Sequence, residues 1–174
     1  CGWLKYFPGL SPMVGCPQDP EWHPEGDVWV HTLHCMDAFA SERTGDETED
    51  VVVGLAVLCH DIGKPKTTTK DNGRIRSVRH ELEGEDLTIE FLYSITRQKK
   101  LIREVTPLVR WHMVPGQYYR AQVKDQAIRK LADKVERIDR LVRVAKADYS
   151  GRPPLPAAPF PDGEWLLSRA EELR

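Results

Sequence analysis

Six histidines and two aspartates stand where they could do chemistry. The stretch "GLAVLCHDIGKPKTTT", residues 54–69, drives His60 and Asp61 together at the end of an apolar run. A carboxylate in such a setting is costly to ionise unless something compensates it. Three compensations suit the pair: a structural His–Asp hydrogen bond, a place in a nucleophile triad, or a shared metal ion. The remaining histidines bear on the choice. His31 lies in the apolar helical pattern "VWVHTLHCM", His80 opens a helix after a basic loop, and His112 closes one in "LVRWHM". Asp148 falls on the face of its helix shared with Leu141 and Ala145, so it repeats the puzzle of Asp61. Two core-facing carboxylates and several imidazoles on separate helices are the donor set of a divalent cation, which offsets their desolvation.

The elements that must position these groups read as helices. Asp27 is an N-cap candidate for a helix over 28–40. A second runs over 49–62, apolar nearly all round and therefore central, with Gly63 as its C-terminal cap and Pro65 barring continuation. Further helices follow at 79–97, 99–112, 123–135 and 137–149. "EWLLSRAEELR" forms a last one after the Pro-rich "GRPPLPAAPFPDG". Residues 64–77 read as a loop or short ribbon turning at Asn72–Gly73. Period-2 alternation is scarce, so the fold class is all-α, a bundle of about six to seven helices. The division expected is an irregular lead-in over 1–26, a domain over 27–152, and a Pro-rich linker with a C-terminal helix over 153–174.

Composition narrows the classes. The chain has 174 residues, 40% hydrophobic and 30% charged, with net charge −2, an ordinary globular balance that announces neither nucleic acid nor a membrane surface. No apolar run nears the ~20 residues of a membrane span. The absence of an initiator Met reads as a domain from a longer protein. Four cysteines without a C-x-x-C pair fit a reducing cytoplasm, and Cys35 reads as core or as support for the site. His34 reads the same way, and His23 as structural or at the mouth of the site. Charge is concentrated locally: Lys64, Lys66, Lys70, Arg74, Arg76 and Arg79 face one acid, Asp71, an excess of five positive charges between His60–Asp61 and His80. That bracketing reads as an anion-binding lip, with Lys64 first in line for a phosphoryl group and Arg152, just after Asp148, second.

The order His31, His60–Asp61, Asp148 resembles the H…HD…D signature of HD-domain metal-dependent phosphohydrolases. "GCPQDPEWHPEGDVWVHTLHCMDA", "LAVLCHDIGKPKTT", "RHELEG", "VRWHM" and "ADYSGR" together resemble the HD domain attached to bacterial tRNA nucleotidyltransferases, the CCA-adding enzymes, over about residues 5–152. The resemblance implies that His31, His60, Asp61 and Asp148 hold one metal. It further implies that His80 and His112 join Asp61 at a second. The metal is Mn, Ni, Fe, Co, Zn or Mg, with one or two ions bound. Asp61 and Lys64 are the candidate catalytic residues, and Lys64, Lys66, Arg76, Arg79 and Arg152 the candidate phosphate contacts.

The implied substrate is a phosphorylated small molecule, a nucleotide or an RNA 3′ end such as a 2′,3′-cyclic phosphate, with tRNA a possible partner. The nucleotidyltransferase motif and its D-x-D pair are missing, so this segment adds no nucleotides by itself. Two other classes stay open: a non-catalytic tRNA-positioning module, using Arg97, Lys99, Lys100 and Arg103, and a di-iron oxygenase.

Overall fold

The computed structural model describes residues 2–173, so Cys1 and Arg174 lie outside the described residues. Among the described residues, nine α-helices and one hairpin follow two short 3-10 helices, Gly2–Tyr6 and Ser11–Met13. They are α1 (Val28–Ser41), α2 (Glu47–Cys59), α3 (Lys64–Thr67), β1 (Thr68–Asp71), β2 (Arg74–Ser77), α4 (His80–Ile95), α5 (Lys99–Trp111), α6 (Val114–Ala121), α7 (Asp125–Val135), α8 (Ile138–Ser150) and α9 (Pro161–Glu172). The fold is the all-α bundle expected. α6 is an addition to the helices expected; its proline sits in the first turn, where no helical N–H is needed. The ribbon is an antiparallel hairpin pairing Thr68 with Ser77 and Asp71 with Arg74. Asn72 and Gly73 both take positive φ, 48° and 79°, as a two-residue hairpin turn demands.

α2 is the central helix. Asp46 caps it by accepting from the amides of Thr48 and Glu49, and Glu47, Glu49 and Asp50 complement the positive end of its dipole. Val52, Val53, Ala56, Val57 and Cys59 are buried against α1, α5 and α8. Each such valine contributes about 1.5–3 kcal/mol by leaving water. The core continues through Leu108 of α5, Leu141 of α8 and Leu166 of α9. It also takes Leu10 and Met13 from the segment before α1. None of the described helices is long and apolar enough to cross a membrane.

α2 stops earlier than its pattern suggests, and the reason is a close approach. His60 to Gly63 form a turn, and α3 starts at once with Pro65 in its first turn. Gly63 has φ −80°, so it is no left-handed cap. A Cβ there would collide with the carbonyl oxygen of His80 and sit 2.6 Å from the amide of Gly84. The absence of a side chain lets the turn after α2 lie directly on α4.

Candidate metal centre

Four helices and two turns converge on one buried point. Asp27 caps α1 by accepting from the Val30 amide, and His31 follows one turn in, fully buried. The turn after α2 presents His60 and Asp61, each 1% exposed. The hairpin hands over to α4 through Arg79, held at φ 61°, so that His80 opens the helix pointing inward. His112 ends α5, and Asp148 lies near the end of α8. The rings of His31, His60, His112 and His80 form a file, each consecutive pair of centroids 5.3 Å apart.

The outer nitrogen of each imidazole is already committed. Nδ1 of His60 donates to Val57 O at 2.7 Å, that of His80 to Ser77 O at 2.8 Å, and that of His112 to Val109 O at 2.7 Å. Nδ1 of His31 faces Glu25 Oε1 at 2.7 Å and Gly151 O at 3.1 Å. The inner nitrogens therefore confront one another: His31 Nε2 and His60 Nε2 at 3.3 Å, His80 Nε2 and His112 Nε2 at 3.4 Å. Two lone pairs at that distance repel unless a cation or a proton lies between them. Asp148 Oδ1 sits 3.0 Å from His31 Nε2 and 3.8 Å from His60 Nε2.

Asp61 stands between the two pairs. Its Oδ2 is 3.3 Å from His60 Nε2 and 3.7 Å from His31 Nε2, while Oδ1 is 3.2 Å from His80 Nε2. Oδ2 is buried without a hydrogen bond, although Lys64 Nζ lies 2.7 Å away. Facing imidazole nitrogens, and a buried carboxylate oxygen whose near partner is the Lys64 ammonium, fit a divalent cation that would displace the protons between them. One group comprises His31, Cys35, His60 and Asp148, the other Asp61, His80 and His112, each with donor atoms within 4.8 Å of one another.

The charges follow from the same geometry. Burial alone would lower the pKa of His31, but hydrogen bonds to Asp148, Cys35 and Glu25 push it up to about 12. Burial would raise Asp61, yet Lys64, His60 and His80 hold it well below the carboxylate range. Asp148 is likewise held far down, His31 and His60 outweighing its desolvation. Burial, with His60 and His80 beside it, drives His112 down to about 3.

The HD domain family model matches residues 28–138, well over half of the chain. The chain belongs to the HD domain family. Five of the six predicted ligands of this HD domain fall inside the matched stretch, and Asp148 lies ten residues beyond it. The chain is also similar to multifunctional CCA proteins of Acinetobacter baumannii. It is 30% identical to that of strain SDF and 29% to those of strains ATCC 17978 and AYE, over all of this chain and 42% of each relative. It thus spans about two fifths of the length of the curated relatives it matches. No solved structure matches the chain.

The remaining predicted residues of this HD domain are placed less uniformly. Lys64 is buried rather than on an exposed lip, its Nζ donating to Gln18 Oε1 at 2.7 Å beside Asp61. Lys66 is exposed and lies 3.9 Å from Glu83. Arg76 and Arg79 are exposed on and beside the hairpin. Arg152 lies over the Tyr149 ring and donates to the Tyr149 carbonyl at 3.2 Å. Only Asp148, with 29% of its side chain exposed, opens the six-residue group to solvent.

Three residues escaped the sequence reading or were underrated by it. Glu25, its side chain wholly buried, holds both His31 and His23, the latter at 2.9 Å. Gln18 anchors Lys64 and donates to Gly26 O at 3.3 Å. Cys35 stands among the first group of donors rather than behind it. The signal for Glu25 was an acid within "WHPEGD", between His23 and the α1 cap, in a segment that looked irregular.

Proposed function

We propose that this HD domain is a metal-dependent phosphohydrolase, cleaving phosphomonoesters or phosphodiesters of nucleotides or RNA 3′ ends, 2′,3′-cyclic phosphates among them. The observation that carries the reading is the convergence of four Nε2 atoms and two aspartates on one buried point, where nitrogen faces nitrogen and Asp61 Oδ2 accepts no hydrogen bond. His31, His60, Asp61 and Asp148 would hold one divalent ion, and Asp61, His80 and His112 a second. Bound there, such an ion supplies water of lowered pKa and neutralises charge at phosphorus. Manganese, nickel, iron, cobalt, zinc and magnesium all suit part of this donor set.

The chain's own residues would do the rest. Nδ1–H bonds to backbone and to Glu25 keep each imidazole turned inward. Lys64, fixed by Gln18, brings a positive charge beside Asp61 for a phosphoryl oxygen. Substrate would enter past Asp148. The exposed bases of the hairpin, Lys70, Arg74 and Arg76, are suited to a flanking phosphate. An RNA 3′ end as substrate is supported by the resemblance to HD domains of CCA-adding enzymes and by the relatives' name.

The test is hydrolysis of p-nitrophenyl phosphate and 2′,3′-cyclic nucleotides with each of these metals. Turnover should require metal, stop with chelator and vanish in Asp61→Ala. No turnover with any metal, or equal turnover in Asp61→Ala, overturns the reading. Retention of tRNA by a protein that takes up no metal would establish the positioning module instead.

A further inference from the structure

The thiol of Cys35 is placed as a donor. Cys35 lies one turn after His31 on the same face of α1. Its Sγ is 3.3 Å from His31 Nε2, and no stronger hydrogen-bond partner claims it, the Asp148 carbonyl being 3.9 Å away. Gly151 packs directly on Cys35, where a Cβ would strike Sγ, and Cys35 is fully buried. Zinc bonds of about 2.0–2.1 Å to nitrogen and 2.3 Å to sulfur put tetrahedral neighbours about 3.4–3.6 Å apart. The group shows 3.3 Å between the nitrogens, 3.3 Å from sulfur to nitrogen, and 3.0 and 3.8 Å from the nitrogens to Asp148 Oδ1. Asp61 Oδ2, buried without a hydrogen bond, faces the same point 3.3 Å from His60 Nε2, and the donor atoms of His31, Cys35, His60 and Asp148 all lie within 4.8 Å of one another.

We propose that Cys35 ligates the ion held by His31, His60 and Asp148, and that this sulfur makes the site select zinc, iron or cobalt over magnesium and manganese. The inference rests on the metal-centre reading above. A soft sulfur donor favours borderline cations, while hard oxygen-loving ions gain little from it. On ligation the thiol gives its proton to solvent. Cys16, 3.6 Å from Thr68 Oγ1, and Cys59, buried under α4, belong to no such group among the described residues.

Cobalt loading tests it. The protein with Co²⁺ should show a near-ultraviolet thiolate-to-cobalt charge-transfer band that Cys35→Ser abolishes. Zinc affinity should fall at least about tenfold in that variant, with manganese affinity changing less. Cobalt bound without the band overturns the assignment while leaving the metal centre standing. A band that survives Cys35→Ser belongs to another thiol and overturns it too. No binding of any ion overturns the metal-centre reading itself. X-ray absorption of the unmodified zinc protein needs no variant: one sulfur at about 2.3 Å is expected, and a shell of nitrogen and oxygen alone rejects the proposal.

Discussion

α2 and α8 lie side by side and meet at both ends, with opposite results. At their N-terminal ends Arg140 of α8 donates through Nε to Glu49 of α2 at 2.9 Å, and Arg143 donates to Asp50 at 3.0 Å. Arg137 pairs with Asp139 at 2.6 Å, and Arg140 also lies 3.7 Å from Glu104 of α5. Every charge in this clasp has an opposite within the chain. At the C-terminal ends of the same helices, nitrogen faces nitrogen and a buried carboxylate oxygen lacks a hydrogen bond. One end is complete as folded, whereas the other gathers the donor set that a cation from outside would complete. The difference separates a structural ion network from a binding centre more surely than burial or charge count.

The comparison can be broken from either end. The largest effect belongs to the clasp. Arg140 is buried, so Arg140→Ala removes the shared partner of Glu49 and Glu104 and should cost about 3 kcal/mol, the low end for a broken buried pair because Glu49 keeps Arg137 and Glu104 keeps Lys100. Urea unfolding should show this loss equally with and without metal. A loss that metal reverses would mean that the two ends are one site.

Asp61→Asn does the reverse. It should lower metal affinity by more than the about 100-fold known for outer-shell changes, with activity following. Wild-type protein should gain about 2.7 kcal/mol of stability at a metal concentration of 100 Kd, and the variant should lose that gain. Equilibrium dialysis and thermal unfolding measure both. A variant that binds and is stabilised like wild type refutes the bridging position of Asp61.

Glu25→Gln comes next. It keeps the shape but weakens the acceptor at His31 Nδ1, so metal affinity should drop about 10–100-fold, with folding stability nearly intact. Titration calorimetry of metal into both proteins decides it.

Acid gives the smallest effect and also separates the two ends. In the metal-free protein His112 is held near 3 against 6.5 for a free imidazole. Between those limits the unfolded chain binds a proton that the folded chain does not. The stability contributed by neutral His112 is complete above pH 6.5 and is lost as pH falls toward 3, by at most about 1.4 kcal/mol per pH unit. Asp50 in the clasp, pulled from 3.8 to about 2 by the Thr44 and Gly45 amides, responds only below pH 4. Chelator-treated wild-type protein should therefore lose stability relative to His112→Gln between pH 6.5 and 5.5, because His31 and His80, whose pKa values are raised in the folded chain, respond in the opposite direction in both proteins. Parallel responses of the two proteins across that unit contradict the assignment.

Much of this was legible in the residues. Helical periodicity and caps such as Asp27 placed α1, α2, α4, α5, α7 and α8 within a few residues, because those signals are local. Carboxylates on apolar faces demand compensation, which singled out Asp61 and Asp148 with the histidines, and the structure brings these residues together. Lys64 was singled out by the charge around it, but its burial was not visible. A lysine in a basic loop carries no mark that Gln18, 46 residues away, will hold it inward. Glu25 was missed because its segment has no periodicity to reveal which side chain turns in.

By itself, then, the sequence determined the all-α architecture, the central place of α2 and the types of atom that meet at the end of it. Tertiary structure alone decided how they meet. Only packing brings His80 and His112 to the far side of Asp61, confines Cys35 Sγ beneath Gly151, and leaves the Asp61 oxygen without a hydrogen bond. The reason is physical. Periodicity and burial are properties of neighbours along the chain, whereas coordination depends on distances of a few ångströms between residues up to 117 positions apart.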